Sequence, residues 1–309
     1  MNKSQRTITP FRVLVLLLVL VGVYFLLPQL GSFKDTFTVL RHAFWPWMLV
    51  GLLASLLTFF AGAIVQFAAG NSLGRLSDIT LLQFAGSFVN HFLPFSLGGI
   101  HLNARYYQKL GKTPVQAITM GTIPTIFEIA TAVVMVAIIS PITILELLDK
   151  LHPKHFDTWS VVPIIAAIII IVLAIIKFRQ HIKKPITELL TAVKGIRGHQ
   201  QLLLLVSGSV ATASLASVAL FLSILAVHTS VPLTGVFIIY VTASLISEVV
   251  PTPGGIGATE AVLILALAAS GLSLSQAVAA TLIFRLVIFW LPMIPGGLAL
   301  HRINRRKIL

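Results

Sequence analysis

The chain has 309 residues, of which 57% are hydrophobic and 10% charged, and its mean hydropathy is +0.99; soluble domains carry about 25% charged residues. One globular core cannot hide that much apolar surface, so lipid must solvate it, and no stretch is left long enough for a sizeable soluble domain. The net charge of +13 comes from basic residues at the ends of apolar runs, which points to membrane orientation and anionic lipid rather than nucleic acid, and the lack of any cysteine excludes disulfides and thiolate metal sites.

A membrane span needs about 20 apolar residues. The first run, 11–30, is nearly that long and lacks a small-x-small cleavage site, so it reads as a retained first span rather than a leader. Further spans are predicted over 44–68, 114–140, 159–177, 202–227, 232–250 and 274–300. Residues 79–98 are apolar but broken by Pro94 and Gly98-Gly99, and 258–271 are too short to cross alone.

Charge bias chooses the path. With the amino terminus inside, Arg75 follows the second span, and Arg105, Lys109 and Lys112 fall on the same side only if 79–98 enters and returns as a re-entrant hairpin. After residue 230 the chain must cross an odd number of times to bring Arg302, Arg305, Arg306 and Lys307 inside. A broken element through 232–271 followed by one crossing satisfies this, and so does a three-crossing version using 251–271. The path leaves four basic residues outside (Lys34, Arg41, Lys150 and Lys154), seventeen inside, and Arg285 within the membrane. Residues 178–200 read either as an amphipathic helix on the inner surface or as a solvated loop, and 301–309 as a basic cytoplasmic tail. The whole, 1–309, is a single membrane domain: an all-α polytopic bundle, membrane-embedded over 11–300.

A motif recurs. Gly111-Lys-Thr-Pro-Val-Gln-Ala117 and Gly271-Leu-Ser-Leu-Ser-Gln-Ala277 share G-x-[ST]-x-x-Q-A, each before a long span and each after a proline-glycine break, at Pro94–Ile100 and Pro251–Ile256. On the path above the first break enters from inside and the second from outside, which makes the halves an inverted pair. Paired interrupted segments point to a binding site of transporter type; the plainer account is two kinks that let helices pack closely.

Broken backbone at membrane depth must lie against protein or a wet cavity, and a helix restarting there presents free amides to anions, a lipid phosphate being the obvious one. The candidate site is therefore Asn90, Gly98 and Gly99 at the first break and Gly254, Gly255 and Thr259 at the second. To these are added the intramembrane charges Glu128, Glu260 and Arg285, with Arg105 following the first break. Glu260 and Arg285 are expected to pair, either as part of a polar path in which Arg105 and Arg285 meet phosphate or as a clamp between helices. Glu248 reads as a cap before Pro251. His91 and His101 flank the first break but lack companions for a metal site, so neither metal nor cofactor is expected. His152-Pro-Lys-His-Phe-Asp157 fits H-x-x-x-x-D, a general-base spacing, without a second motif to support an enzyme.

Three stretches resemble the transmembrane region of the lysylphosphatidylglycerol synthase family: Asn90-His-Phe-Leu-Pro94 through Gly98-Gly99 and Arg105 to Gly111; Pro251-Thr-Pro-Gly-Gly-Ile-Gly-Ala-Thr-Glu260-Ala; and Ala280-Thr-Leu-Ile-Phe-Arg285 with its aromatic, proline-containing tail. The resemblance implies an all-helical, flippase-like domain that moves lipids between leaflets of a prokaryotic inner membrane, with both termini cytoplasmic. The soluble aminoacyl-transferase domain of the full synthases has no counterpart in these residues, so no catalysis is expected. Where the family often has an arginine after the glutamate of the middle span, Glu128 is followed by Ile129. Partners are then membrane lipids with anionic or phosphate-bearing head groups. The rival readings are a secondary transporter of a small solute, driven by protons through Glu260 or Glu128, and a scaffold for a lipid-modifying enzyme.

Overall fold

The computed structural model describes residues 33–93, 97–150, 198–249, 253–306 and 308–309. The spans expected at 11–30 and 159–177, the connector at 178–200 as far as residue 197, and the His152–Asp157 motif lie outside them; the last residues of that connector, His199 and Gln200, already belong to a helix. Among the described residues there is no strand. The helices are α1 (Phe33–Arg41), α2 (Trp45–Ala69), α3 (Leu76–Asn90), α4 (Leu97–Lys109), α5 (Pro114–Lys150), α6 (His199–Ala226), α7 (Leu233–Val249), α8 (Ala258–Ala269), α9 (Leu274–Arg285) and α10 (Met293–Arg305). A π-helical turn, Leu286–Trp290, joins α9 to α10, so the last two run on as one long rod.

Among the described residues, four segments are long and apolar enough to cross a membrane: Trp45–Ala69, Pro114–Pro141, His199–Ala226 and Leu274–Arg305. At 1.5 Å per residue, α7 is about 26 Å long and α3, α4 and α8 about 18–23 Å, short of a hydrocarbon core about 30 Å thick. The span expected over 232–250 is thus a shorter helix, one arm of a hairpin. The bundle is polarised for lipid. On α2 the large residues Leu49, Leu53, Leu57 and Phe60 lie on one face and are exposed, while Gly51, Ala54, Ser55, Ala61 and Gly62 are buried. Small residues inside let backbones approach closely where water supplies no hydrophobic drive between helices.

The hairpin α3–α4 enters and leaves at one end. At its tip Gly86 abuts Gly99 and Gly98 abuts Val89. At its base the Arg75 amide donates to the Tyr106 hydroxyl (3.1 Å), and Gly70 and Gly74 receive the rings of Tyr107 and Tyr106. Ile303 and the carboxyl-terminal Ile308 and Leu309 join the same cluster as Ile79, Tyr106 and Tyr107. Arg75, Arg105, Lys109, Lys112, Arg302, Arg305 and Arg306 therefore gather at one end of the bundle, the grouping that charge bias required.

The recurring motif is helix punctuation. Gly111 (φ +85°) and Gly271 (φ +97°) hold the left-handed conformation that ends α4 and α8. The next amides, Lys112 and Leu272, reach back to the carbonyls of Tyr107 and Leu267, the pattern of a Schellman stop. A capping box starts the following helix each time: Thr113 and Gln116 exchange bonds of 3.3 and 3.4 Å, Ser273 and Gln276 of 3.1 and 3.3 Å. The fixed alanines, Ala117 and Ala277, are fully buried.

The repeat extends to the packing. α2 matches α6, α3 matches α7, α4 matches α8, and α5 matches the rod α9–α10. Each contact in one half has its counterpart: α2 with α3 and α6 with α7, α3 with α4 and α7 with α8, α4 with α5 and α8 with α9, α3 with α10 and α7 with α5. The two matched helices α2 and α6 pack on each other more extensively than any other pair. Gly51 faces Ala219 and Leu222, whereas Ala61 and Val65 face Gly208. The register falls on α6 as it rises on α2, so the matched helices are antiparallel and the repeat is inverted.

Candidate functional site

The two breaks meet. A cavity of about 330 Å³ is lined by Asn90 and Gly99 from the first break and by Gly254 and Gly255 from the second, with Glu128 of α5 and His91 also on its wall. Two smaller cavities of about 140 Å³ border Glu128 as well, one toward Gln66, Gln83 and Asn103, the other toward Ser209, Thr212 and Tyr240.

Each break is braced in the same way. Gly99 N–H donates to Asn90 Oδ1 (3.0 Å), and Asn103 Nδ2 donates to Gly99 O (3.0 Å). In the second half Ser247 Oγ lies against Gly255, and Thr259 Oγ1 donates to Gly255 O (3.0 Å). A side chain from the helix before the break and another one turn after it thus hold the second glycine of each pair. Backbone polar groups freed at this depth need such partners. Gly254, Gly255 and Gly257 have φ of +59°, +66° and +91°, a region costly for any residue with a Cβ. A Cβ on Gly255 would also strike Ser247, and one on Gly254 would strike Phe289.

Pro124 adds a third irregularity. Lacking an amide hydrogen, it leaves the carbonyl of Met120 without a helical donor; Gln66 Nε2 from α2 fills the place at 2.9 Å. Gln66 also contacts Tyr107, whose hydroxyl donates to Gln66 O (2.8 Å), so the first hairpin is tied to α2 beside the cavity.

Glu260 and Arg285 pair as expected. Arg285 Nε donates to Glu260 Oε1 at 2.6 Å, Arg285 Nη2 to Gly254 O at 3.2 Å, and the guanidinium sits 4.0 Å from the Phe289 ring centroid. Glu260 Oε2 accepts the Gly257 amide (2.7 Å). Because residue 257 is glycine, only this half of a capping box exists. The Arg285 side chain is 8% exposed and that of Glu260 22%. The pair therefore clamps α9 to the start of α8 and to the break itself. Phe289 in turn packs on His91 at 3.8 Å between ring centroids, and the His91 ring nitrogens lie 2.6 Å from Ser87 O and 3.0 Å from Phe289 O. This histidine, considered from sequence only for metal, is the strut between the two breaks. The signal missed was its aromatic partner almost two hundred residues away.

On the far side of the second break Arg285, Glu260, Gly257 and Thr281 wall an apolar groove of about 740 Å³, completed by Leu40, Met48, Ile264 and Trp290 among others. Arg285 thus lines the apolar groove and, through its bond to Gly254 O and its contact with Phe289, backs the wall of the polar cavity. Arg105 does not join it: the residue is exposed on α4 and lines none of these cavities. The expectation that Arg105 and Arg285 share one cavity is corrected on this point. Helix α4 turns its buried face, Leu102, Asn103, Tyr106 and Tyr107, inward, and position 105 falls on the other side. His101 is likewise exposed. The side chain of Glu248 lies outside the described residues. Among the described residues no three His, Cys, Asp or Glu side chains are grouped to hold a metal.

An all-helical inverted repeat with two re-entrant hairpins whose breaks meet at an interior polar cavity defines a polytopic integral membrane protein. The chain belongs to the family described as the lysylphosphatidylglycerol synthase TM region, whose model matches residues 12–296. No curated protein matches it.

Proposed function

We propose that this chain translocates lipid between leaflets, carrying a phosphate-bearing head group past the two breaks while the acyl chains stay in the apolar groove. Membership of a family linked to lipid handling supports the substrate class. The observation that carries the reading is the position of Arg285 between the polar cavity and the groove. A lipid at this partition has its head on the polar side and its tails on the other. Arg285 is the only Lys or Arg among the described residues lining either space. In this reading Arg285 meets the head-group phosphate, and Glu260 holds the guanidinium in place between passages. The chain acts without covalent chemistry, in a cytoplasmic membrane whose inner face carries the basic end of the bundle.

The test is lipid movement in proteoliposomes holding only this chain, with fluorescent lipids of different head groups followed by dithionite quenching. Wild type is expected to move phosphate-bearing lipids, and Arg285→Ala combined with Glu260→Gln to stop that movement. Movement retained in the double variant sinks the proposal. No movement of any lipid by the wild type favours a scaffold role.

A further inference from the structure

We propose that Glu128 is the binding site of a monovalent cation, a proton or Na⁺, whose occupancy couples to movement of the two breaks. The inference builds on the lipid reading but is carried by different residues. Glu128 borders all three polar cavities. Among the described residues lining them there is no Lys or Arg. An ionised carboxylate at membrane depth is costly and marks ion or proton pathways.

A second observation points to a ligand. Asn103 is 4% exposed, and its Nδ2 is committed to Gly99 O. That bond fixes the amide and leaves Oδ1 as an acceptor with no donor of its own, on a residue that lines a cavity bordered by Glu128. Oδ1 is buried and without a hydrogen-bond partner, and so is Ser209 Oγ on the cavity flanking Glu128 from the other side. Buried oxygens of this kind call for an explanation, and the carboxylate whose cavities both residues line adds the hard oxygen donors that suit a small hard cation.

Among the described residues, the titratable groups that share these cavities with Glu128 are His91 from α3 and Tyr240 from α7; the lining residues from α2, α4 and α6, such as Gln66, Asn103 and Thr212, are neutral, and the side chain of Glu248 on α7 lies outside the described residues. Arg285 lies beyond Phe289, committed to Glu260. Asn90, Gly99 and Gly254 share the Glu128 cavity, so loading or emptying the carboxylate acts directly on the walls that both breaks form.

The test uses the full chain in proteoliposomes, with Na⁺ and H⁺ as probes and choline as the inert replacement. Infrared difference spectra of the wild type are expected to show a carboxyl group that protonates on acidification, with Na⁺ shifting its titration to lower pH. Glu128→Gln should lack that signal. Asn103→Thr keeps a donor for Gly99 O, as Thr259 does for Gly255 O, but removes the acceptor; it should raise the Na⁺ concentration for half-maximal response at least tenfold. Lipid movement by the wild type should change several-fold when an imposed H⁺ or Na⁺ gradient is reversed, and that of Glu128→Gln should not. A wild-type spectrum indifferent to both cations, or a response unchanged in Glu128→Gln, overturns the cation site. Lipid movement without any cation response leaves translocation standing and removes the coupling; a cation response without lipid movement does the reverse.

Discussion

The ion pair at the second break gives a quantity that mutation can measure. Replacing Arg285 with Met keeps most of the side-chain volume but leaves Glu260 with only the Gly257 amide, at 22% exposure, and removes the bond to Gly254 O and the contact with Phe289. Removing one partner of a buried pair costs about 3–5 kcal/mol, because the other charge stays behind without compensation. The low end applies here, since Glu260 keeps some solvent and one hydrogen bond, so about 3 kcal/mol is expected. Glu260→Gln alone leaves the more buried charge, Arg285, facing an amide oxygen that still accepts a bond, and should cost about 2 kcal/mol. Removing both charges leaves neither stranded. Arg285→Met with Glu260→Gln should therefore be more stable than the sum of the single changes by about 2 kcal/mol, within the range for residues in contact. The assay is equilibrium unfolding of the purified chain in detergent. Additive losses within about 0.5 kcal/mol would refute the clamp and leave Arg285 and Glu260 as independent groups.

Three further outcomes follow from the packing. Gly255→Ala places a Cβ against Ser247 and Thr259 at a φ of +66° and should cost several kcal/mol in the same unfolding assay; Ser247→Gly should relieve the contact with Ser247 but leave the one with Thr259 and about 1–2 kcal/mol of backbone strain, and full rescue would show that the positive φ is not held. In a chain without native cysteine, Val65→Cys with Gly208→Cys should cross-link under mild oxidation and Gly51→Cys with Gly208→Cys should not, because α2 and α6 are antiparallel; the opposite pattern would contradict the inverted repeat. Lys109→Cys and Arg306→Cys should both react with an impermeant maleimide from the cytoplasmic side only, and labelling of the two from opposite sides would break the gathering of basic residues at one end.

Sequence made the membrane class, a turn back within 79–98 and the pairing of Glu260 with Arg285 legible, each for a physical reason, although the hairpin is longer than that segment and its second arm runs from Leu97 to Lys109. Hydropathy reports lipid exposure directly. Arg75 and the Arg105–Lys112 cluster could share a side only if the chain turned back, and the Tyr106 hydroxyl on the Arg75 amide is that turn seen at its base. A buried glutamate and arginine on successive membrane helices have few partners but each other. The misplacement of Arg105 was a matter of helical phase: one step of about 100° separates it from buried Tyr106 and Ala104, and without knowing where the helix starts after Pro94 its face could not be assigned. The role of His91 was out of reach because the residues it joins come from opposite halves of the chain. The G-x-[ST]-x-x-Q-A motif was visible, but its content is local; what it reports is where two matched helices stop and start, and the inverted relation itself needed the register of α2 against α6.

That relation also locates where the two halves part company. Counted from the second glycine of each break, Glu260 corresponds to Ala104, and counted from the capping glutamine, Arg285 corresponds to Thr125 and Glu128 to Ile288. The scaffold features (stop, capping box, glycine pair and its brace) are duplicated, whereas the charges are not. Chemistry needed to fold a hairpin must appear in both halves, because both must satisfy the same broken backbone. Charge is costly at this depth in either half and folding of the first hairpin proceeds with Ala104 and Thr125 in place of the ion pair. The clamp is thus a property of the second half alone, and the Glu128 carboxylate a property of the first. If the bundle works by moving one hairpin against the other, as inverted repeats do, the clamped second hairpin is the stiffer partner and the first, with Ala104 and Thr125 at the places of that ion pair, is the one that moves.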